Sequence, residues 1–262
     1  MAIALLTDFG LRDAYVASLK AVLLGLAPQT PVLDISHQIP AFDRIYGGLA
    51  LFQAYRYFPE KTIFLTIVDP GVGSERKAIL VESQKYFFLA PDNGILSFVL
   101  SEELPQRVFH LTNKKFFLQD TSPTFHGRDI FAPVAAHLSL GVDPATFGPQ
   151  LKGFDFLNEF FPKKIAAGME GKILAIDAFG NAITNFRSNQ VLEIFPNQDF
   201  TLSFQEKTVP SIKEVKQCYA QGSQGQAMLL FNSSGLLEIA VPEGSAASLL
   251  GLKGGDPVLL SP

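Results

Sequence analysis

The segment Asp69-Pro70-Gly71-Val72-Gly73-Ser74-Glu75-Arg76 sets a carboxylate and a guanidinium seven residues apart, with glycines between them. Such a loop can fold back until Arg76 meets Asp69, as a structural ion pair or as part of an active site. A second concentration, Phe125-His126-Gly127-Arg128-Asp129, lies where a loop enters a helix, so His126 can face a cleft. A carboxylate, a guanidinium and an imidazole brought together suit proton handling at a small nucleophile. His37, His110 and His137 have no comparable setting, and His137 falls inside an amphipathic helix. Two further acids, Asp8 and Asp34, share with Asp69 a place at the end of an apolar run. Ligands of open α/β sheets bind beyond the carboxyl ends of the strands. An Asp before a glycine turn serves equally to bond nearby backbone amides. The 69–76 loop lacks the Lys and Ser/Thr of a phosphate-binding loop, which removes that motif.

The second half of the chain carries two glycine turns with chemistry of their own. Asp177-Ala178-Phe179-Gly180-Asn181 combines an acid, an aromatic ring and an amide. Asn232-Ser233-Ser234-Gly235 precedes Leu236-Leu237-Glu238-Ile239-Ala240 and adds hydroxyls and an acid. Ordinary hairpin chemistry also accounts for both, since Asn, Ser and Gly are favoured in turns.

Residues 1–155 alternate short apolar runs with helix-length amphipathic segments, the pattern of an α/β domain with a mostly parallel sheet. Ala2–Leu6, Val32–Ile35 and Thr62–Val68 read as strands, and Lys77–Glu82 with Tyr86–Ala90 as a strand pair. A helix follows Asp13, its expected N-cap, with Val16, Leu19, Val22, Leu23 and Leu26 on one face. Ala41–Tyr57, Ile95–Ser101 and Asp129–Leu140 read as further helices. Gly148, Pro149, Gly153 and Pro162 break the pattern, and 156–168 is expected to be a linker. From 169 to 262 short strands separated by turns predict a smaller all-β domain, a sandwich or barrel: Gly171–Ile176, Thr201–Phe204, Gln226–Phe231, Leu236–Ala240 and Pro257–Leu260.

The chain has 262 residues, 47% of them hydrophobic, and a formal charge of −4. No basic stripe invites nucleic acid, and no apolar run is long enough to span a membrane. The opening MAIALLTDFG has no basic lead or small-residue cleavage site and reads as a strand rather than a signal peptide. Cys218 is the only cysteine, which excludes an internal disulfide and a Cys-rich metal site and fits a buried thiol in a reducing cytoplasm. The 24 Phe against no Trp describe a phenylalanine-filled core.

Five separated motifs resemble the S-adenosylmethionine hydroxide adenosyltransferases, relatives of the fluorinase and chlorinase. They are Thr7-Asp8-Phe9-Gly10, Val68-Asp69-Pro70-Gly71-Val72-Gly73 with Arg76, Phe125-His126-Gly127-Arg128-Asp129, Asp177-Ala178-Phe179-Gly180-Asn181, and Asn232-Ser233-Ser234-Gly235 with Glu238. The resemblance implies an enzyme that converts S-adenosylmethionine and water to adenosine and L-methionine, without metal or organic cofactor. It implies a homotrimer, with substrate between the N-terminal domain of one subunit and the C-terminal domain of the next. By the same resemblance Asp69, Arg76 and His126 are the water-activating trio, and Asp8 holds the ribose hydroxyls. Asp177 and Asn181, with Phe179 beside them, contact the methionine and sugar portions. Ser233 and Glu238 serve the methionine end, Val241 contacts adenine through its backbone, and Phe42 and Tyr219 sandwich the nucleoside. Ser234 stands where the fluorinase has an arginine, and Gly127 where it has a serine.

A free Asp is a weak base and Arg76 would weaken Asp69 further, which favours His126 as base with Asp69 orienting the water; the reverse assignment stays open. The resemblance also favours hydroxide over halide, because the Asp69 carboxylate about 4 Å from a halide costs roughly 1 to 4 kcal/mol. Two other readings compete. Asp8, Asp34 and Asp69 gathering Mg²⁺ would make a phosphoester hydrolase. An adenosine- or S-adenosylmethionine-binding protein without turnover would have no need of the trio.

Overall fold

Ile3–Thr7 forms the fully buried strand β1, apolar until its last residue, as expected of a strand covered on both faces. It pairs in parallel with β2 (Val32–Ser36) on one side and with β3 (Ile63–Ile67) on the other. β3 pairs in parallel with β5 (Phe87–Pro91). Beyond β5 the direction alternates: β4 (Ala78–Ser83) is antiparallel to β5, and β6 (Pro105–His110) is antiparallel to β4. The sheet therefore runs β2-β1-β3-β5-β4-β6 and is mostly parallel, as expected: only β4 runs against the other five strands. The link from β4 to β5 is too short for a parallel crossover, so it closes as a hairpin. β6 was not expected, because Gln106 and Arg107 break the apolar pattern. It lies at the sheet edge and starts on Pro105, positions where a polar, proline-led strand is tolerated.

Helices α1 (Tyr15–Leu26), α2 (Arg44–Ala54), α3 (Ser97–Leu100) and α4 (Ala132–Ser139) occupy the expected segments with shorter bounds. Val16, Leu19 and Leu23 of α1 are buried as predicted, whereas Leu26 is exposed. Asp13 does not cap this helix, which begins after Ala14 without a side-chain cap. Asp43 does cap α2, accepting from Tyr46 N–H at 2.9 Å. Phenylalanine dominates the interior, with Phe52 stacked on Phe98 and Phe64 on Phe88.

The structure describes residues 1–166, 168–205, 207 and 209–262. It divides into two compact units, Met1–Leu157 and Asn158–Pro262. The expected linker at 156–168, whose Ala167 lies outside the described residues, carries structure of its own. Asp155 N–H donates to Asp92 Oδ1 at 2.7 Å and Leu157 N–H to Ser97 Oγ at 2.8 Å, tying this stretch to the first unit. Phe160 is fully buried, and Lys163–Ile165 forms β7, paired antiparallel with β8 (Gly168–Ile176) in the second unit.

In the second unit β8 pairs with β9 (Ala182–Arg187), which pairs in turn with β13 (Leu236–Ala240). The full order is β10 (Thr201–Phe204), β14 (Pro257–Ser261), β8, β9, β13, β12 (Met228–Phe231), β11 (Val215–Lys216). β9 was also missed, because Thr184 and Asn185 interrupt its apolar run. Both are buried and satisfied: Thr184 Oγ1 donates to the Leu237 carbonyl at 2.7 Å, and Asn185 Oδ1 accepts from Lys172 N–H at 2.9 Å. The unit is not all-β, since α5 (Ser188–Ile194) and α6 (Ala246–Leu250) follow β9 and β13, and α5 buries Val191 in the core. Cys218 is exposed, contrary to the buried thiol expected.

Phe186 on β9 is fully buried, whereas Leu249 on α6 is 53% exposed. Phe186→Ala is expected to destabilise the protein by about 3–5 kcal/mol, and Leu249→Ala by less than about 1 kcal/mol. Urea unfolding followed by circular dichroism checks this; equal losses would contradict the assigned core.

Candidate active site

Parallel pairing sets the geometry of the first cleft. Thr7 and Ile67 are register partners on β1 and β3, so the loops that carry Asp8 and Asp69 leave the same sheet edge side by side. The end of β3 is held from behind: Asn93 Nδ2 donates to the Val68 carbonyl at 2.9 Å, and Arg44 Nη1 donates to the Asn93 carbonyl at 2.8 Å. The 69–76 loop folds back as its spacing suggested. Arg76 Nε donates to both Asp69 oxygens at 3.0 and 2.9 Å, and Arg76 Nη2 donates to Asp69 Oδ2 as well. The same Nη2 lies 2.8 Å from His126 Nδ1. A glycine permits this approach of two loops: Gly73 has φ +79°, and a Cβ there would sit 2.6 Å from the Pro123 carbonyl oxygen.

His126 immediately precedes a π-helical turn, Gly127–Phe131, that leads into α4; such turns recur at functional sites. Asp129 inside that turn is fully buried. It accepts from Arg128 Nε at 2.6 Å and from Ser122 N–H at 2.8 Å, fixing the loop that delivers His126. Phe131 lies under the Arg76 guanidinium, 5.6 Å from ring centroid to Cζ.

A guanidinium only donates, so His126 Nδ1 must accept from it, and the imidazole carries its proton on Nε2. Burial, and then the adjacent Arg76 cation, hold the His126 pKa below the ordinary histidine value; Asp69 and Asp129 oppose the shift. The ring is neutral at pH 7 with its one basic nitrogen occupied. That arrangement does not favour His126 as proton acceptor, the assignment preferred from sequence.

Asp8, Asp69, His126 and Phe42 line one cleft of about 350 Å³. Arg76 does not line it but supports it through Asp69 and His126, its side chain 9% exposed. Phe9, Tyr15 and Phe125, none of which had been given a role, form an aromatic wall: Phe125 meets Phe9 and Tyr15 edge to face at 5.6 and 5.3 Å, and Phe9 is tilted against Tyr15 at 6.0 Å. Phe9 and Phe125 belong to the recognised motifs, whereas nothing in the sequence marked Tyr15. Burial pushes the Asp8 carboxyl up, the Phe42 N–H bond pulls it down, and neighbouring Asp69 adds to the rise. That bond, 2.9 Å from Phe42 N to Asp8 Oδ2, holds Phe42 at φ +67°. A non-glycine residue in that region costs about 1–3 kcal/mol and signals a constrained site. The Phe42 ring is left 68% exposed.

Asp34 does not join this cleft. Lys20 Nζ donates to it at 2.6 Å, and His37 Nε2 lies 3.0 Å away. Among the described residues no group of three or more His, Cys, Asp or Glu side chains is placed to hold a metal ion, so the three-acid magnesium site is not assembled.

The second unit has a cleft of its own, about 620 Å³, lined by Phe179, Asn181, Tyr219, Val241 and the loop Pro242–Ser245. Asp177 shapes it from beneath: Oδ1 accepts from the N–H groups of Phe179 and Asn181 at 2.9 and 2.8 Å, and Oδ2 from Asn181 Nδ2 at 3.0 Å. Gly180 at φ +85° lets Ser245 close on this turn, since a Cβ there would lie 2.1 Å from Ser245 Oγ. Glu238 is 2% exposed and supports the cleft from inside. It accepts from Tyr219 O–H at 2.7 Å and Asn232 Nδ2 at 3.1 Å. Burial raises the pKa of Glu238 and of Tyr219, the latter further through its carboxylate partner. Ser233 is exposed on the β12–β13 turn and does not line the cleft; its neighbour Asn232 reaches inward instead. Phe179, 80% exposed, and Tyr219 leave apolar ring surface uncovered. Ser245 and the 242–244 loop had no sequence signal beyond a Pro-Glu-Gly turn.

Comparison with known proteins matches both units to one family. The model for the SAM hydroxide adenosyltransferase N-terminal domain covers residues 3–148, and that for the C-terminal domain residues 171–259. A protein of Thermus thermophilus named (R)-S-adenosyl-L-methionine hydrolase is 39% identical, with 97% of each chain aligned. One of the same name from Salinispora tropica is 35% identical, over 97% of this chain and 95% of the relative. A fluorinase of an Actinoplanes species is 25% identical, over 99% and 97%. Among solved structures, an uncharacterized conserved protein of Thermotoga maritima superposes with a TM-score of 0.91 at 34% identity, over 99% of this chain and all of the other. With both domain models in order along one chain and relatives aligned end to end, this protein belongs to the SAM hydroxide adenosyltransferase family.

Proposed function

We propose that the protein hydrolyses S-adenosylmethionine to adenosine and L-methionine by in-line attack of water on the adenosyl 5′ carbon. One observation carries this reading: Arg76 joins Asp69 and His126 by direct hydrogen bonds at the wall of a cleft that also holds Asp8. The name borne by the relatives at 31–39% identity supports the substrate and points to the (R)-sulfonium epimer.

The chemistry needs little from the protein beyond position. The sulfonium leaves as a neutral thioether, taking the electron pair of the carbon–sulfur bond, so no metal or organic cofactor has to activate it. As the carbon–oxygen bond forms, the water oxygen becomes an oxonium, a far stronger acid than any carboxylic acid. A weak base therefore suffices, and Asp69 fills that role. Its Oδ1 accepts only one Arg76 contact, at 3.0 Å, and retains lone-pair capacity. His126 Nε2–H is the donor that orients the water, reversing the roles favoured from sequence. The proton passes from Asp69 to solvent. Holding water in line with the scissile bond supplies the entropic part of the rate.

In the same reading Asp8 binds the ribose hydroxyls and Phe42 covers the nucleoside. Phe179, Asn181, Tyr219 and Val241 contact the substrate from the second unit's cleft, with Asp177 and Glu238 supporting them. Ser233 is assigned to the methionine end by resemblance alone. The homotrimer and the cytoplasmic location are part of this proposal. Exposed rings at Phe42 and Phe179 support assembly, and an exposed unpaired Cys218 suits a reducing compartment. Among the described residues no helix is long and apolar enough to cross a membrane.

Incubation with each sulfonium epimer of S-adenosylmethionine, followed by chromatography for adenosine, tests the activity; it is expected to persist in excess chelator. His126→Ala and Asp69→Asn are expected to lose turnover by about 10²–10⁴-fold while adenosine binding, read by calorimetry, stays within a few-fold. Undiminished turnover in both variants would remove the mechanism. The His126 pKa is lowered, so its neutral form prevails at pH 7 and acid must protonate Nδ1 against Arg76. Turnover should fall as pH drops, with a midpoint below the ordinary histidine value of about 6.5. A kcat profile whose acid limb lies above that value would contradict the depressed imidazole.

A further inference from the structure

His37 is nearly fully buried, 4% exposed, and lies outside the water-handling trio. It grips the Thr7-Asp8-Phe9-Gly10 segment at both ends. Its Nδ1 is 2.8 Å from Thr7 Oγ1, and its carbonyl oxygen accepts from Gly10 N–H at 2.7 Å. Thr7 Oγ1 also accepts from Phe9 N–H at 3.2 Å, so the hydroxyl proton is free to point at Nδ1. Nδ1 meets that hydroxyl, while Nε2 lies 3.0 Å from Asp34 Oδ1 as a charge contact outside hydrogen-bond alignment; the other Asp34 oxygen is held by Lys20. A third link, Phe42 N–H to Asp8 Oδ2, closes the 7–10 loop onto the 37–42 loop. Asp8 is the residue between these fastenings.

We propose that His37 is a positioning residue for Asp8: by fixing Thr7 and Gly10 it sets the direction from which the Asp8 carboxylate meets the ribose hydroxyls of the substrate. This rests on the reading of Asp8 given under the proposed function. A carboxylate that accepts from two vicinal hydroxyls is sensitive to its angle, and a buried imidazole hydrogen-bonded through Nδ1 resists rotation better than a surface loop would. Ribose discrimination, rather than stability alone, is what His37 controls.

The test measures dissociation constants of the full-length protein for adenosine and 2′-deoxyadenosine, with melting temperature recorded for each variant. The native protein is expected to prefer adenosine, and Asp8→Ala to abolish the preference. Thr7→Val keeps the shape of the buried side chain and removes the hydroxyl; His37→Gln places its amide at the level of Nε2 and abandons Thr7. Both are expected to shrink the preference by about tenfold, the worth of one hydrogen bond to a charged group. His37→Asn leaves an amide oxygen where Nδ1 stood and is expected to retain the preference. In turnover, Thr7→Val and His37→Gln should raise KM more than they lower kcat. A full preference in folded Thr7→Val and His37→Gln overturns the inference while leaving the Asp8 reading intact. Equal weakening of both nucleosides, in step with lost stability, reduces His37 to a structural residue and overturns it too. A preference that survives Asp8→Ala ends both.

Discussion

The first cleft depends on a single guanidinium that serves two loops at once. Arg76 neutralises Asp69 and, with the same nitrogen, donates to His126. Without that cation a largely buried carboxylate and an imidazole would face each other with nothing to fix them. With it, the carboxylate has a fixed partner, and burial and then the cation hold the imidazole pKa down. The electrostatics of the site follow from this order: acid, base, then a neutral ring whose exposed hydrogen points away from the cation.

The rest of the first unit reads as support for that contact. Asn93 and Arg44 anchor the end of β3, Asp129 and Arg128 brace the loop before α4, and Phe131 lies under the guanidinium. Gly73 removes the one Cβ that would keep the loops apart. Most of these groups touch no part of the cleft, yet the polar ones are fixed by hydrogen bonds of their own. Phe42 shows the cost of such fixing, since its backbone is held in a region that only a firm partner such as Asp8 sustains.

The second unit solves a different problem with the same means. Its cleft has an apolar rim and a polar floor, and the floor is built from carboxylates that do not themselves line it. Asp177 spends its oxygens on the turn that carries Phe179 and Asn181, and Glu238 spends its own on Tyr219 and Asn232. Aromatic rings thus stand exposed above a buried Glu238 and a partly buried Asp177. This division explains why residues grouped by sequence motif separate into lining and supporting roles.

Local sequence determined much. The spacing of Asp69 and Arg76, the glycines between them, and the buried runs of β1 and β3 are enough to place an acid-base loop at a sheet edge, because parallel strands send their carboxyl ends the same way. Five ordered motifs gave the family. What the sequence left open was decided by contacts between distant segments. The edge strand β6, the polar but satisfied β9, and the short helices of the second unit all depend on neighbours that a local pattern does not record. The imidazole's tautomer is set by a hydrogen bond fifty residues away in sequence. His37 looked unremarkable along the chain and proves central in space, because its partners Thr7 and Gly10 arrive from another strand. Periodicity reports which face of an element is buried; only the folded chain decides which donor meets which acceptor.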